Sequence, residues 1–211
     1  MTKEIFTNLK KFWKKFWFLI WKDSSLKGWI LSVIFLFVFI KFIFFPVLSL
    51  LTGTSLPLAI VESCSMYHKG NLFSDYDTWW KGHSEKYSQY DINKQTFEDF
   101  IFKNGFNKGD ILFIVKADPE KIKKGDVIIF NAGRQNPIIH RVIDIRKEGG
   151  KYIFSTIGDN NNAQLSSEKE ISSDALIGKA VFKLAPYLGW AKLIFFEPMK
   201  PASERGFCEE N

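Results

Sequence analysis

From Ile30 to Leu51 the chain reads ILSVIFLFVFIKFIFFPVLSLL, with one charge, Lys41, and one helix breaker, Pro46. A helix of this length, at about 1.5 Å per residue, crosses a hydrocarbon core of roughly 30 Å. A soluble domain within 211 residues has no interior that buries such a segment on all sides. The run is therefore read as one transmembrane anchor over residues 29–52. It is expected to stay uncleaved, because the chain continues directly into a folded domain. In mid-membrane Lys41 costs roughly 2.5–3.5 kcal/mol, met by snorkelling or by facing a partner helix. Pro46 removes a helix hydrogen bond and is expected to kink or end the regular span near its outer edge.

The charge of the chain is distributed unevenly. Seven lysines against Glu4 and Asp23 put +5 of the formal +6 into residues 1–28, leaving the body nearly neutral. No basic stripe remains there for phosphates, which argues against nucleic acid as a partner. Lysines ahead of the span orient the N-terminus to the cytoplasm. The domain after it is then extracytoplasmic, or lumenal in an internal membrane. Within the basic segment, residues 5–21 read IFTNLKKFWKKFWFLIW. Lysines interleaved with large aromatics suit an amphipathic helix lying in the cytoplasmic interface, or a solvated helical arm.

Beyond the span the texture changes. Residues 71–107 are polar and aromatic and read as a helical insertion. Asn93 is a cap, Phe97, Phe100 and Ile101 share a helix face, and Asn104-Gly105 is a stop. Its Trp79, Trp80, Tyr87 and Tyr90 fit a mini-core of the insertion, or a surface dipping into the headgroups. Five runs rich in β-branched and aromatic residues follow: 110–117, 126–132, 137–146, 151–158 and 175–184. Glu148-Gly149-Gly150 between two of them marks a hairpin. The expectation is a mostly β, antiparallel domain over residues 53–192, with residues 193–211 as a C-terminal tail. PYLGWAKLIFF, residues 186–196, is too short to span; its aromatics fit the membrane interface or packing on the sheet.

Few side chains are available for chemistry. Ser63 and Ser65 flank Cys64 just after the span. A serine nucleophile needs a base within hydrogen-bond reach and donors for the developing oxyanion. Of three histidines, His68 is too close in sequence to turn back on Ser65, and His83 lies in the insertion. His140 sits in a strand, IIHRV, where a lone histidine is more often structural. Two cysteines, Cys64 and Cys208, make neither a disulfide framework nor a zinc site, and whether they are joined or free is left open. A Cys64–His pair is a weaker alternative. No cofactor and no metal is expected.

In combination these motifs carry more. Ser63, Ser65 and Met66 after a span, strands opened by Gly109-Asp110 and Gly125-Asp126, then His140-Arg141-Val142, Gly158-Asp159-Asn160-Asn161, IGKA and PYLGW follow in order. The set resembles the type I signal peptidases. It is most similar to their archaeal and endoplasmic-reticulum branch, because the base position carries His where the bacterial branch has Lys. The resemblance covers roughly residues 30–70 and 106–192.

The resemblance implies an antiparallel β-barrel-like catalytic domain and a membrane-bound serine endopeptidase that removes signal peptides from exported preproteins. Ser65 then matches the nucleophile, His140 the general base, and Ser63 a hydroxyl assisting the oxyanion hole. Asp159 matches an acid of the active-site region, which would orient His140 or hold the local backbone; a plain turn former is the alternative. Relatives usually carry a further Asp where this chain has Gln164 or Leu165. Either Asp159 serves, or Glu168 or Asp174 reaches in, or the enzyme works as a dyad. Implied partners are preproteins carrying signal peptides, the lipid bilayer and the translocation machinery. Two alternatives stand beside this reading: a catalytically weak anchored β domain acting as a binding or assembly subunit, and a serine protease dedicated to one precursor.

Overall fold

The computed structural model describes residues 2–70 and 76–209. The chain divides into two compact units, Met1–Leu51 and Thr52–Asn211.

The first unit is helical. Helix α1 spans Thr2–Trp21 and α2 spans Leu26–Phe39. Between them the Asp23 carboxylate accepts from the Ser25 N–H at 2.9 Å, and the Ser25 hydroxyl caps α2 by accepting from the Gly28 N–H. The two helices meet through Phe16 and Phe35, with ring centroids 5.7 Å apart, and through the Ser32 hydroxyl, which donates to the carbonyl of Ile20. Helix α2 continues through a π-helical segment, Ile40–Phe44, into α3, Phe45–Thr52. Together Leu26–Thr52 form one 27-residue helix, long and apolar enough to cross a membrane.

Pro46 does not end this helix. Just before it the Phe45 N–H bonds to the carbonyl of Ile40, five residues back. A π turn is the adjustment by which a helix absorbs a lost i−4 bond and continues. Lys41 lies over the rings of Phe37 and Phe42, 5.8 and 5.4 Å from their centroids.

The second unit is built on one curled, seven-stranded antiparallel sheet of order β1-β2-β7-β3-β4-β5-β6. Its strands are β1 (Leu58–Ile60), β2 (Ile111–Val115), β3 (Val127–Phe130), β4 (Ile138–Glu148), β5 (Lys151–Ile157), β6 (Ile171–Ser172) and β7 (Leu176–Ala185). Each of the five expected β runs contains a strand, while β1 and β6 are too short to carry a periodicity of their own. The β4–β5 hairpin closes with Glu148 opposite Lys151. Gly149 and Gly150 both have positive φ, 56° and 82°, as a two-residue type I′ loop requires.

All four residues of β3 are buried, because the sheet is covered on both faces at its centre. Val127 and Ile129 join a core with Leu112, Ile114 and Met66. Ile128 and Phe130 face the other way, into a core with Val142 and Phe154. A third core belongs to the insertion. Helices α4 (Tyr76–Ser88) and α5 (Lys94–Glu98) pack Trp79, Trp80, Tyr87 and Phe97 against Ile143 and Ile157 of β4 and β5. The aromatics therefore form a core that welds the insertion to the sheet. Residues 71–75 of the expected insertion lie outside the described residues. Asn93 caps α5 as expected, its side chain accepting from the Thr96 N–H at 2.9 Å. The helix stops at Glu98, however, short of Phe100 and Ile101.

Phe97 is fully buried, with the Tyr87 ring 4.8 Å away and the Arg141 guanidinium 4.7 Å over its face. Truncation there removes a large buried ring and leaves a cavity. Phe97→Ala is expected to lower the unfolding free energy by about 3–5 kcal/mol, read by urea denaturation in detergent. Ile101→Ala, at a partly exposed position, should cost less than about 1 kcal/mol.

Candidate active site

Ser65 lies in the connection between β1 and the insertion, and its backbone is fixed from several sides. The next residue, Met66, is buried in the sheet core, and its carbonyl accepts from the Phe106 N–H at 2.9 Å. The carbonyl of Ser65 accepts from the Asn160 N–H at 2.8 Å, and that of Cys64 accepts from the Asn160 side-chain amide at 3.1 Å. A Cβ on Gly158 would lie 2.8 Å from the Ser65 carbonyl oxygen, so only glycine lets the serine segment rest on this turn. The hydroxyls of Ser63 and Ser65 lie 3.1 Å apart.

The same turn connects to His140. Ile157, the last residue of β5, is paired with Arg141 of β4. His140, one residue before Arg141, is thereby brought to the end of the sheet that carries the Gly158–Asn161 turn. His140 is buried, and its Nδ1 is hydrogen-bonded to Oε1 of the fully buried Glu168. Glu168 is itself held: its Oε1 accepts from the Thr156 hydroxyl at 3.1 Å and its Oε2 from the Leu165 N–H at 2.7 Å. A single 3-10 turn, Ser166–Glu168, brings this carboxylate back over Leu165. With Nδ1 engaged, the imidazole has Nε2 left for a substrate or nucleophile. Among the described residues no hydrogen bond joins Ser65 to His140. Such bonds are often long or misaligned until a substrate is bound.

Asp159 and Asp174 point elsewhere. Asp174 pairs with Lys151 on the surface. Asp159 is fully buried and faces Arg141, whose Nε and Nη2 donate to its two oxygens at 2.9 and 2.6 Å. The Tyr87 hydroxyl adds 2.7 Å to Oδ1, and His68 Nε2 lies 2.9 Å from Oδ2. Asp159 thus closes a buried hub, and the acid that meets His140 is Glu168. The remaining Arg141 donors reach the carbonyls of Ile101, Gly125 and Phe102. From the insertion, Lys86 donates to the carbonyls of Asp159 and Asn161 at 2.6 and 3.0 Å.

The electrostatics of the hub follow from its burial. Burial alone would raise the Asp159 carboxyl. The Arg141 charge overrides it, with hydrogen bonds from His68 and Arg141, and holds the group well below the carboxylate range. For His68, burial lowers the imidazole below its ordinary 6.5 despite the Asp159 carboxylate. Because Asp159 is held as a carboxylate, the His68 Nε2–H is the donor to it. Burial likewise lowers the Lys86 ammonium to about 8, against the pull of Asp159.

Two features that the sequence left open or assigned no role are defined by the fold. Cys64 and Cys208 form a disulfide, Cα atoms 5.3 Å apart, across 144 residues of sequence. His68, set aside as a base, is a buried structural partner stacked 3.6 Å from the Trp79 ring. Neither leaves a signal in local periodicity. The one available hint was that the chain contains only two cysteines. Among the described residues there is no cluster of three or more His, Cys, Asp or Glu side chains to hold a metal ion.

The shifts of His68 and Asp159 have the same sign. Below 6.5 the unfolded chain takes up a proton that folded His68 resists, and below 3.8 the same holds for Asp159. Stability therefore falls as pH is lowered through each ordinary value in turn. The thermal midpoint is expected to drop between pH 7.5 and 5.5, and His68→Gln should flatten that part of the profile. Asp159→Asn, which breaks a buried pair, is expected to cost about 3–5 kcal/mol.

No family model matches the chain. It is similar to signal peptidase complex catalytic subunit SEC11C of Homo sapiens, 32% identical over 96 residues, 42% of this chain and 50% of that protein. It is also similar to the signal peptidase complex catalytic subunit sec11 of Dictyostelium discoideum, 34% identical over 82 residues, 36% of this chain and 45% of that protein. Signal peptidase I W of Bacillus subtilis is 39% identical over 59 residues, 28% of this chain and 31% of that protein. The chain spans half or less of the length of these relatives. Over part of its length the chain is thus similar to proteins named as signal peptidases from animal, slime-mould and bacterial sources, and its curled antiparallel sheet follows an apolar helix in the sequence.

Proposed function

We propose that the protein is a membrane-bound serine endopeptidase that removes signal peptides from exported preproteins. Ser65 is the nucleophile, His140 the general base and Glu168 the acid that orients it. The observation that carries this reading is the His140–Glu168 hydrogen bond, at the end of the sheet whose turn holds the Ser65 carbonyl.

In this scheme Ser65 Oγ attacks the scissile carbonyl carbon, and His140 Nε2 takes its proton and passes it to the leaving amine. Water then attacks the acyl-enzyme by the same route. The carboxylate of Glu168 keeps the Nδ1 proton in place, which fixes the tautomer and stabilises the imidazolium as it forms. The Ser63 hydroxyl, 3.1 Å from Ser65 Oγ, joins the Ser65 N–H in stabilising the oxyanion. The absent Asp at Gln164 or Leu165 is the motive for the alternative of a catalytically weak subunit; the Glu168 carboxylate on His140 supports the enzyme reading instead.

The apolar helix Leu26–Thr52 fits a single-pass membrane protein. We place the N-terminus in the cytoplasm on the lysine bias of residues 1–28. The Cys64–Cys208 disulfide supports an extracytoplasmic or lumenal catalytic domain, because such bonds persist in oxidising compartments. Tethering to the bilayer that also holds the signal peptide raises the local concentration of substrate. An extended cleavage site would pair along an edge strand; β1 is an edge and leads directly into Ser63–Ser65. The preprotein and the lipid bilayer are the partners this reading requires, with the translocation machinery as a further one.

In a preprotein cleavage assay with full-length protein in detergent, Ser65→Ala and His140→Ala are expected to abolish processing. Glu168→Gln should lower kcat by up to about ten-thousand-fold with little change in KM, as expected for loss of a triad acid. Asp174→Asn should stay within about twofold, because Asp174 lies on the surface with Lys151. Undiminished cleavage by Ser65→Ala would sink the assignment.

A further inference from the structure

The C-terminal tail folds back onto the serine segment, and two of its residues bond directly to Glu62 and Cys64. After the short helix α6 (Trp190–Leu193) the chain turns back, anchored by the buried Lys108. Its ammonium donates to the Glu197 carboxylate at 2.7 Å and to the Glu204 carbonyl at 2.6 Å. The Gly206 N–H donates to the same carboxylate oxygen at 2.9 Å, and Phe207 packs on Trp190 with ring centroids 5.0 Å apart. From this base the tail reaches the serine segment twice directly and once through Asn160. Lys200 donates to the Glu62 carbonyl at 2.9 Å. Cys208 is bonded to Cys64. The Asn160 side-chain amide donates to the carbonyls of both Cys64 and Glu209, at 3.1 and 3.0 Å.

Ser63 and Ser65 have short side chains, so the position of their hydroxyls is set by the backbone that carries them. That backbone is held by the sheet at Val61, whose N–H bonds to Asp110, and by the Gly158–Asn161 turn at Ser65. Between these points the tail adds two ties, Lys200 on the Glu62 carbonyl and Cys208 on Cys64, beside the Asn160 amide and the Tyr67 N–H on the Cys64 carbonyl. We propose that Cys208 is a positioning residue. Its disulfide to Cys64, seated by the folded tail, fixes the Ser63–Cys64–Ser65 backbone so that the Ser65 hydroxyl is aligned for attack. This rests on the reading of Ser65 as the nucleophile.

The test uses the full-length protein in detergent and compares wild type, Cys208→Ala, Cys64→Ala and Ser65→Ala, each with and without dithiothreitol. The dithiol gives two electrons and two protons to the Cys64–Cys208 bond, yielding two thiols, and itself closes to a cyclic disulfide. Preprotein cleavage is measured well below the unfolding midpoint of each sample, with near-UV circular dichroism recording the folded fraction. The expected result is a kcat at least tenfold lower in both cysteine variants with KM within twofold. Reduction should bring wild type to the same kcat and leave the cysteine variants unchanged. Unaltered kcat in folded Cys208→Ala overturns the proposal. So does a loss that follows the folded fraction alone, which would make the disulfide a staple for stability. Full cleavage by Ser65→Ala overturns the reading of Ser65 and this proposal with it. Inactive Ser65→Ala beside fully active Cys208→Ala overturns only the role of Cys208.

Discussion

The buried ion pair of Arg141 and Asp159 is the interaction on which the second unit is assembled. Arg141 is the largest of its fully buried side chains, and every one of its N–H groups has an acceptor. Removing a guanidinium and a carboxylate from water costs several kcal/mol each. The cost is offset only because the geometry is bidentate and the remaining donors find carbonyls. Those carbonyls belong to Ile101 and Phe102 at the end of the insertion and to Gly125 before β3. One side chain on β4 therefore ties two other stretches of chain to the turn after β5.

Both halves of the candidate site hang on that tie. His140 precedes Arg141 in β4, and Asn160 follows Asp159 in the turn. The Asn160 N–H holds the Ser65 carbonyl. Anything that moves Arg141 against Asp159 moves His140 and the serine segment relative to one another. The insertion bears on the same point from the side, through Tyr87 on Asp159 and Lys86 on two carbonyls of the turn. Its aromatic core belongs to the support of the site as much as to the insertion.

Much of this was legible residue by residue. The apolar run announced a helix long enough to span a membrane, the runs rich in β-branched and aromatic residues announced five strands, and Gly149-Gly150 announced a hairpin. Ser65 and His140 stood out because nucleophile and base chemistry admits few residue types, and their order along the chain carried a family resemblance. The acid that meets His140 was harder. At the level of sequence Asp159, Glu168 and Asp174 were interchangeable carboxylates, and Asp159 had the stronger motif. What separates them is direction: Asp159 is drawn to Arg141, Asp174 lies on the surface with Lys151, and a 3-10 turn aims Glu168 at His140. Pro46 shows the same limit inside a helix, where a π turn upstream keeps the helix going and no local rule announces it.

The sequence by itself determined the elements and the inventory of reactive groups. Hydrophobic periodicity, turn residues and net charge are local properties that a chain displays before it folds. The tertiary structure alone decided the pairings: Glu168 with His140, Asp159 with Arg141, and Cys64 with Cys208 across 144 residues. Such pairings depend on which buried charges and thiols meet once the sheet has closed. A buried charge takes the partner that the fold brings within hydrogen-bond reach, whatever their separation along the chain.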